Sequence, residues 1–406
     1  MPGPGSYWIG TEEMKEVEEV LQSGYLSRYG EFDDPDFKHK VISLEQEFAE
    51  YCGVSHALAT SSGTGSIMIA LLALGLKPGD EVIVPAYTFV ATYSAAIFVG
   101  LVPVLAEIDE SLTLDPEDIE GRITPKTRAI MPVHMLGNPC DMDPIMAVAE
   151  KHDLLVVEDA CQAAGASYKG RKVGSIGVMG AFSLNVFKTI TAGDGGLLTT
   201  DDKDLYERSF GIHDQGHKPL RGGLEVGNRS ILGLNFRVNE LVGAVALAQL
   251  RKLDKITATL REKKNRLKDA LRGIEGLRFR TLNDSEGECG TLCSVIFDDA
   301  ATAAEVARRL GTTTVDQSGW HVYANMEHVS NYLKEAGRPY GKGAYPRTDD
   351  ILSRTINLSV GVVDAGLGAG FGINIDSTDE EIDRVAAEFR AACEAVAVGR
   401  SRESTM

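Results

Sequence analysis

The chain has 406 residues, of which 43 % are hydrophobic and 25 % charged, an ordinary composition for a folded protein large enough for about two domains. Its formal net charge of −18 argues against nucleic acid and against an anionic membrane surface as partners, since both recruit basic patches. No apolar run reaches membrane-spanning length, Met1-Pro2-Gly3-Pro4-Gly5 lacks the basic start of a secretory signal, and the expected location is the cytoplasm. Six scattered cysteines, without histidines at ligand spacing, predict neither a metal site nor a disulfide.

The pattern predicts helices over 12–21 and 41–51, separated by the glycine-bounded loop that carries Tyr29. His56–Thr60 reads as a strand. It runs into Ser61-Ser62-Gly63-Thr64-Gly65-Ser66 and then the apolar helix 67–74. A small, hydroxyl-rich turn between strand and helix is suited to an anion, because free N–H groups and the helix dipole converge there. Further strands are predicted at 81–85, with Phe89 shortly after it, and at 102–107, 129–133 and 154–158. The last of these leads into Asp159 and Gln162, and a carboxylate at the end of a buried strand is costly unless paired. Asp159 reads either as a helix cap or as the partner of a cationic group on a ligand.

Strand 178–184 leads to Lys188 and the turn Gly193-Asp194-Gly195-Gly196, after which 196–200 returns as a strand. A lysine at a strand end beside permissive glycines suits Schiff-base chemistry, because its amine condenses with a carbonyl. His213 is expected in a loop. Helices follow at 241–250 and 255–271, the second linking two domains, 1–250 and 251–406. The C-terminal part alternates a strand near 293–297, a helix at 302–310, an aromatic polar loop around Trp320, a strand near 355–359 and a final helix. Ser377-Thr378-Asp379-Glu380-Glu381 caps that helix, and Ile382, Val385, Ala386, Phe389 and Cys393 form its buried stripe. The strand–helix rhythm predicts an α/β fold with a mostly parallel central sheet flanked by helices, followed by a smaller α+β domain. Ligands in such sheets bind beyond the carboxyl ends of the strands.

A phosphate turn, an aromatic face, a carboxylate and a lysine, in this order, are what pyridoxal phosphate requires. The sequence resembles the DegT/DnrJ/EryC1/StrS family of sugar aminotransferases, pyridoxal phosphate enzymes of fold type I. The resemblance covers about residues 26–253 through Ser61-Ser62-Gly63-Thr64, Gly79-Asp80-Glu81-Val82-Ile83-Val84-Pro85, Thr88-Phe89-Val90-Ala91-Thr92, Val157 to Ala163, Phe182-Ser183 with Lys188, and Gly233-Leu234-Asn235-Phe236-Arg237. It departs from the family pattern at Gly65 and at Asp194, where Glu is commoner, and the carboxyl-terminal third matches only loosely.

The resemblance implies that Lys188 joins the cofactor aldehyde and shuttles a proton. It implies that Asp159 holds the pyridine nitrogen, Gln162 contacts the ring hydroxyl, Phe89 stacks on the ring, and Gly63, Thr64 and Ser183 bind the phosphate. Asn235 then reaches the phosphate of a neighbouring subunit, which implies a homodimer with shared sites. The implied reaction carries an amino group from glutamate or glutamine to a keto-sugar, possibly nucleotide-linked, or to a keto-cyclitol. A pyridoxamine-dependent sugar dehydratase of the same family is the second reading, although those enzymes carry histidine where this chain has Lys188. Trp320 and His321 are expected to line the acceptor pocket, and Tyr29 and His213 lie in segments that could join it.

Overall fold

The computed structural model describes residues 3–219 and 231–403, so the outermost ends of both expected domains lie outside the described residues. Seven strands form the central sheet: β1 (His56–Thr60), β2 (Glu81–Pro85), β3 (Val102–Ala106), β4 (Thr127–Ile130), β5 (Leu155–Asp159), β6 (Met179–Ser183) and β7 (Gly196–Thr200). Their spatial order is β1-β7-β6-β5-β4-β2-β3. All pairings are parallel except those made by β7, which runs antiparallel to both β1 and β6. The apolar runs of β2 and β6 are buried throughout, as expected of strands covered on both faces. The reversal at β7 brings the Ser62 turn after β1 beside the end of β6, which is where Lys188 follows.

The helix after β1 begins at Gly63, earlier than its apolar residues suggested, and spans Gly63–Ala73. Ser62 is its N-cap, accepting from Gly65 N at 2.9 Å, and Ile67, Ile69, Ala70, Leu71 and Ala73 are buried. Capping and burial therefore agree on where this helix starts. The approach is close enough that a Cβ on Gly196 would lie 2.5 Å from the Ser62 carbonyl.

The C-terminal part contributes a three-stranded antiparallel sheet, β8 (Leu277–Phe279), β9 (Leu292–Phe297) and β10 (Thr355–Ser359). The helix Leu253–Leu271 leads into it. The final helix, Asp379–Glu403, buries the expected stripe, and the exchange between Thr378 and Glu381 forms the expected cap. Helices Glu327–Glu335 and Pro346–Ser353 were not expected from the pattern. The amino-terminal segment also reaches this part: Trp8 donates to Asp376 at 3.0 Å. Among the described residues no helix is long and apolar enough to cross a membrane.

Candidate active site

A cavity of about 450 Å³ opens beyond the carboxyl ends of the strands, large enough for a cofactor ring and part of a substrate. Ser62, Gly63, Thr64, Phe89, Gln162, Ser183, Lys188, Trp320 and His321 line it, so most of the expected site converges here from segments far apart in sequence. The helix starting at Gly63 turns its first, unpaired N–H groups toward the cavity floor. A side chain at Gly63 would press its Cβ to 2.7 Å from Ser183 Cβ and 2.9 Å from Cys161 Sγ, so only glycine leaves this cradle open. The combination of a helix N-terminus, a hydroxyl and a bare backbone fits a phosphate.

Asp159 ends β5 with 4 % of its surface exposed and lies just outside the cavity lining. Its Oδ2 accepts from Thr92 Oγ1 at 2.7 Å and its Oδ1 from Cys161 N at 3.1 Å. Thr92 has one hydroxyl hydrogen, and Asp159 receives it. Thr88 therefore donates its own to Thr92 across 2.7 Å. Thr88 stands just before Phe89, the N-cap of the helix Val90–Phe98, and Thr92 in its first turn; both belong to a motif quoted from the sequence, without a role assigned to either. Neighbouring Glu158 faces away and takes His134 Nε2 at 2.9 Å plus three backbone N–H groups. Burial opposes its charge, but these donors win and hold its carboxyl below the usual range.

Lys188 is half-buried, with Nζ 5.9 Å from the Phe89 ring centroid. Burial lowers its pKa from the usual lysine value, while Asp159 and Asp364 act in the opposite direction. Desolvation thus favours the free amine, the form that attacks a carbonyl. Among the described residues Lys188 is the one cation in the lining, against the carboxylates Asp194 and Asp364. Asp364, Asn185 and Thr291 belong to the wall without having been picked out.

The loop around Trp320 pairs with the chain after β2, where Thr88 N donates to His321 O at 3.0 Å and Val90 N to Trp320 O at 2.9 Å. Trp320 is 58 % exposed at the rim, whereas the His321 ring is buried 5.3 Å from Phe89. Ser318 gives its hydroxyl hydrogen to Gly366 O, so His321 Nδ1, 3.0 Å away, is the donor to Ser318 and Nε2 is left as an acceptor. Burial first, and then Lys188, lower the pKa of this ring to about 3, and it stays neutral.

Two expected residues do not reach this cavity. His213 is the last residue of the helix Lys203–His213 rather than part of a loop, fully buried, with Nε2 3.2 Å from Arg28 Nη1. The apolar face shared with Phe210 draws the helix to that point. Tyr29 hydrogen-bonds Asp214, which also pairs with Arg237, and lines a separate cavity. Asn235 is exposed beside Asp214 and lies outside this chain's own cavity.

A doubly wound sheet with a phosphate cradle, a buried carboxylate and a desolvated lysine at its carboxyl edge has the parts that a pyridoxal phosphate enzyme of fold type I needs. The chain belongs to the DegT/DnrJ/EryC1/StrS aminotransferase family, whose sequence model matches residues 8–363. It is 42 % identical over 239 residues to the GDP-perosamine synthase of Caulobacter vibrioides, a match spanning 59 % of this chain and 61 % of that protein. The matched stretch is thus less than two thirds of that relative's length. Among solved structures, the aminotransferase from Psychrobacter cryohalolentis superposes with a TM-score of 0.81 at 27 % identity, covering 98 % of this chain and 99 % of the other. NtdA from Bacillus subtilis, solved with the cofactor PMP bound, gives a TM-score of 0.77 at 26 % identity over 96 % of this chain and 84 % of its own.

Proposed function

We propose that this enzyme moves an amino group from glutamate or glutamine to the carbonyl carbon of a keto-sugar, free or nucleotide-linked, or of a keto-cyclitol. The observation that carries the reading is the wall facing Lys188. Trp320, neutral His321, Thr291 and Asp364 offer a ring face and hydrogen-bond acceptors, which suit a hydroxyl-bearing ring better than a second acidic substrate. The name of the Caulobacter relative supports the nucleotide-sugar side of this choice. The dehydratase reading is not favoured, because Lys188 is present.

When bound, pyridoxal phosphate supplies an aldehyde and a ring that accepts electrons once its nitrogen is protonated. Gly63, Thr64 and Ser183 would hold its phosphate, and Phe89 would pack against its ring. Asp159 keeps a proton on the ring nitrogen, with Thr92 and Cys161 N fixing its carboxylate. Gln162 contacts the ring hydroxyl. Lys188 would hold the cofactor through its aldehyde and, as a free amine, would serve as the base that moves a proton. Trp320 and His321 face the acceptor.

The same proposal includes a homodimer in which Asn235 serves the neighbouring site; its exposure outside its own cavity supports this. It also includes units 1–250 and 251–406, supported by confinement of the two main sheets to either side of that boundary. A cytoplasmic location is supported by six free cysteines, usual in a reducing compartment.

The test is to convert the purified protein to its pyridoxamine phosphate form. That form is then offered a panel of free keto-sugars, nucleotide-linked keto-sugars and keto-cyclitols, with aminated product followed by mass spectrometry. At least one ring ketone should be aminated, alongside the keto acid that the amino donor leaves. Turnover confined to keto acids would overturn the reading.

A further inference from the structure

Behind the cofactor site, the C-terminal part of the chain grips one turn of the N-terminal part with an unusual concentration of buried charge. Leu136 sits in the left-handed region, φ 57° and ψ 34°, inside the turn Met135–Gly137. Such a conformation is strained for a leucine and persists only where its surroundings impose it. Its N–H donates to Gln162 at 3.0 Å. A backbone N–H needs an acceptor, so Oε1 of Gln162 must face Leu136, and the amide hydrogens on Nε2 are what Gln162 can offer elsewhere.

Beside the turn's own bond from Asn138 N to Met135 O, four donors from residues 280–291 hold its carbonyls. Arg280 Nη1 donates to Met135 O at 3.2 Å and Nη2 to Leu136 O at 3.0 Å. Thr291 Oγ1 adds a second bond to Leu136 O at 3.2 Å, and Cys289 N bonds Gly137 O at 2.9 Å. Arg280 is 4 % exposed. Glu288 supplies the main compensating charge, and Glu288 is itself paired at 2.8 Å with buried Lys264 of the helix Leu253–Leu271. Burying two cations and one carboxylate is a poor route to stability, since apolar side chains of similar volume commonly do as well. A rigid planar fork, however, can grip two successive carbonyls where a lysine or a leucine cannot.

We propose that Arg280 is a positioning residue: it pins the Met135–Gly137 turn so that Leu136 holds Gln162 with its amide hydrogens free for the cofactor. This rests on the reading of Gln162 as a cofactor contact. The test is a double-mutant cycle on full-length protein stripped of cofactor, titrated with pyridoxamine 5'-phosphate, which binds without a bond to Lys188. Gln162→Ala should weaken binding about tenfold, as expected for one lost hydrogen bond. Arg280→Lys, which keeps the charge beside Glu288 but loses the fork, should weaken it by a similar factor. The double variant should be no weaker than either single one, because both changes remove the same contact.

Unchanged binding in Arg280→Lys overturns the proposal, and so do multiplied losses in the double variant, since an arginine that only stabilises the fold would act independently of Gln162. If Gln162→Ala binds normally, the reading of Gln162 itself fails and the proposal falls with it. Should Arg280→Lys not fold, Arg280→Gln retains one donor without the buried charge and carries the same cycle.

Discussion

In the proposed reaction, Lys188 and Asp159 divide the chemistry according to their surroundings. The lysine is desolvated beside Phe89, whereas the aspartate keeps two donors and a buried seat. Lys188→Ala removes a half-buried side chain that makes no side-chain hydrogen bond among the described residues, so unfolding should be nearly unchanged. Transamination should fall by at least roughly 100- to 10,000-fold, the range typical of losing a positioned acid–base group. A variant retaining near-normal turnover in a stopped assay would remove Lys188 from the mechanism. His213 makes a separate prediction, about pH. Burial, reinforced by Arg28, lowers its folded pKa to about 3, against about 6.5 in an unfolded chain. Between these values the unfolded chain binds more protons, so the ring makes stability fall as pH drops through that window and contributes no pH dependence above it. Urea unfolding at about pH 7 and about pH 5 should show His213→Gln losing less stability on acidification than the parent, by about 2 kcal/mol. Equal losses would mean that the buried ring is already charged or is freely solvated.

Glycine acts through its place in an element. In the helix Gly63–Ala73, the first residue faces Ser183 and Cys161 at contact distance. Gly63→Ala should therefore destabilise by roughly 1–3 kcal/mol through overpacking and weaken phosphate binding as the cradle is displaced. Gly121 in the helix Pro116–Arg122 has nothing within 4 Å of an added Cβ. Gly121→Ala should raise stability by roughly 0.4–1 kcal/mol, because it restricts the unfolded chain without meeting a neighbour. Thermal unfolding of the two variants should move in opposite directions. Unchanged or higher stability in Gly63→Ala would show that crowding at the cavity floor is not what selects Gly63, and a loss in Gly121→Ala would overturn the second expectation.

In the whole molecule, the exposed Asn235 and the cavity it does not reach make assembly testable. Lys188→Ala and Asn235→Ala chains can be purified as defined heterodimers through two different tags. One site then carries both lesions and the other neither, so activity should rise above that of either parent. Verified heterodimers as inactive as their parents would place each complete site within a single chain.

Much of this architecture was legible from the linear order of residues. β1, β2, β7 and β10 have the bounds their apolar runs suggested, and the Ser62 turn and Lys188 stood out through local spacing, whereas Asp159 read two ways and the role of Gln162 came from the resemblance. Each of these signals is short-range: a strand's periodicity, a cap, a glycine beside a lysine. The placement of Trp320 and His321 beside Phe89 depends on pairing between residues more than two hundred positions apart, and the grip of Arg280 on Leu136 spans 144. His213, expected in a loop, was drawn by the apolar face of its helix into the interior, away from the cavity. The sequence by itself thus determined the sheet, the cradle and the lysine, because their physics is local. Which side chains meet the substrate, which way the Gln162 amide turns and whether a histidine is charged were decided only when the chain closed, because each depends on who shares its burial.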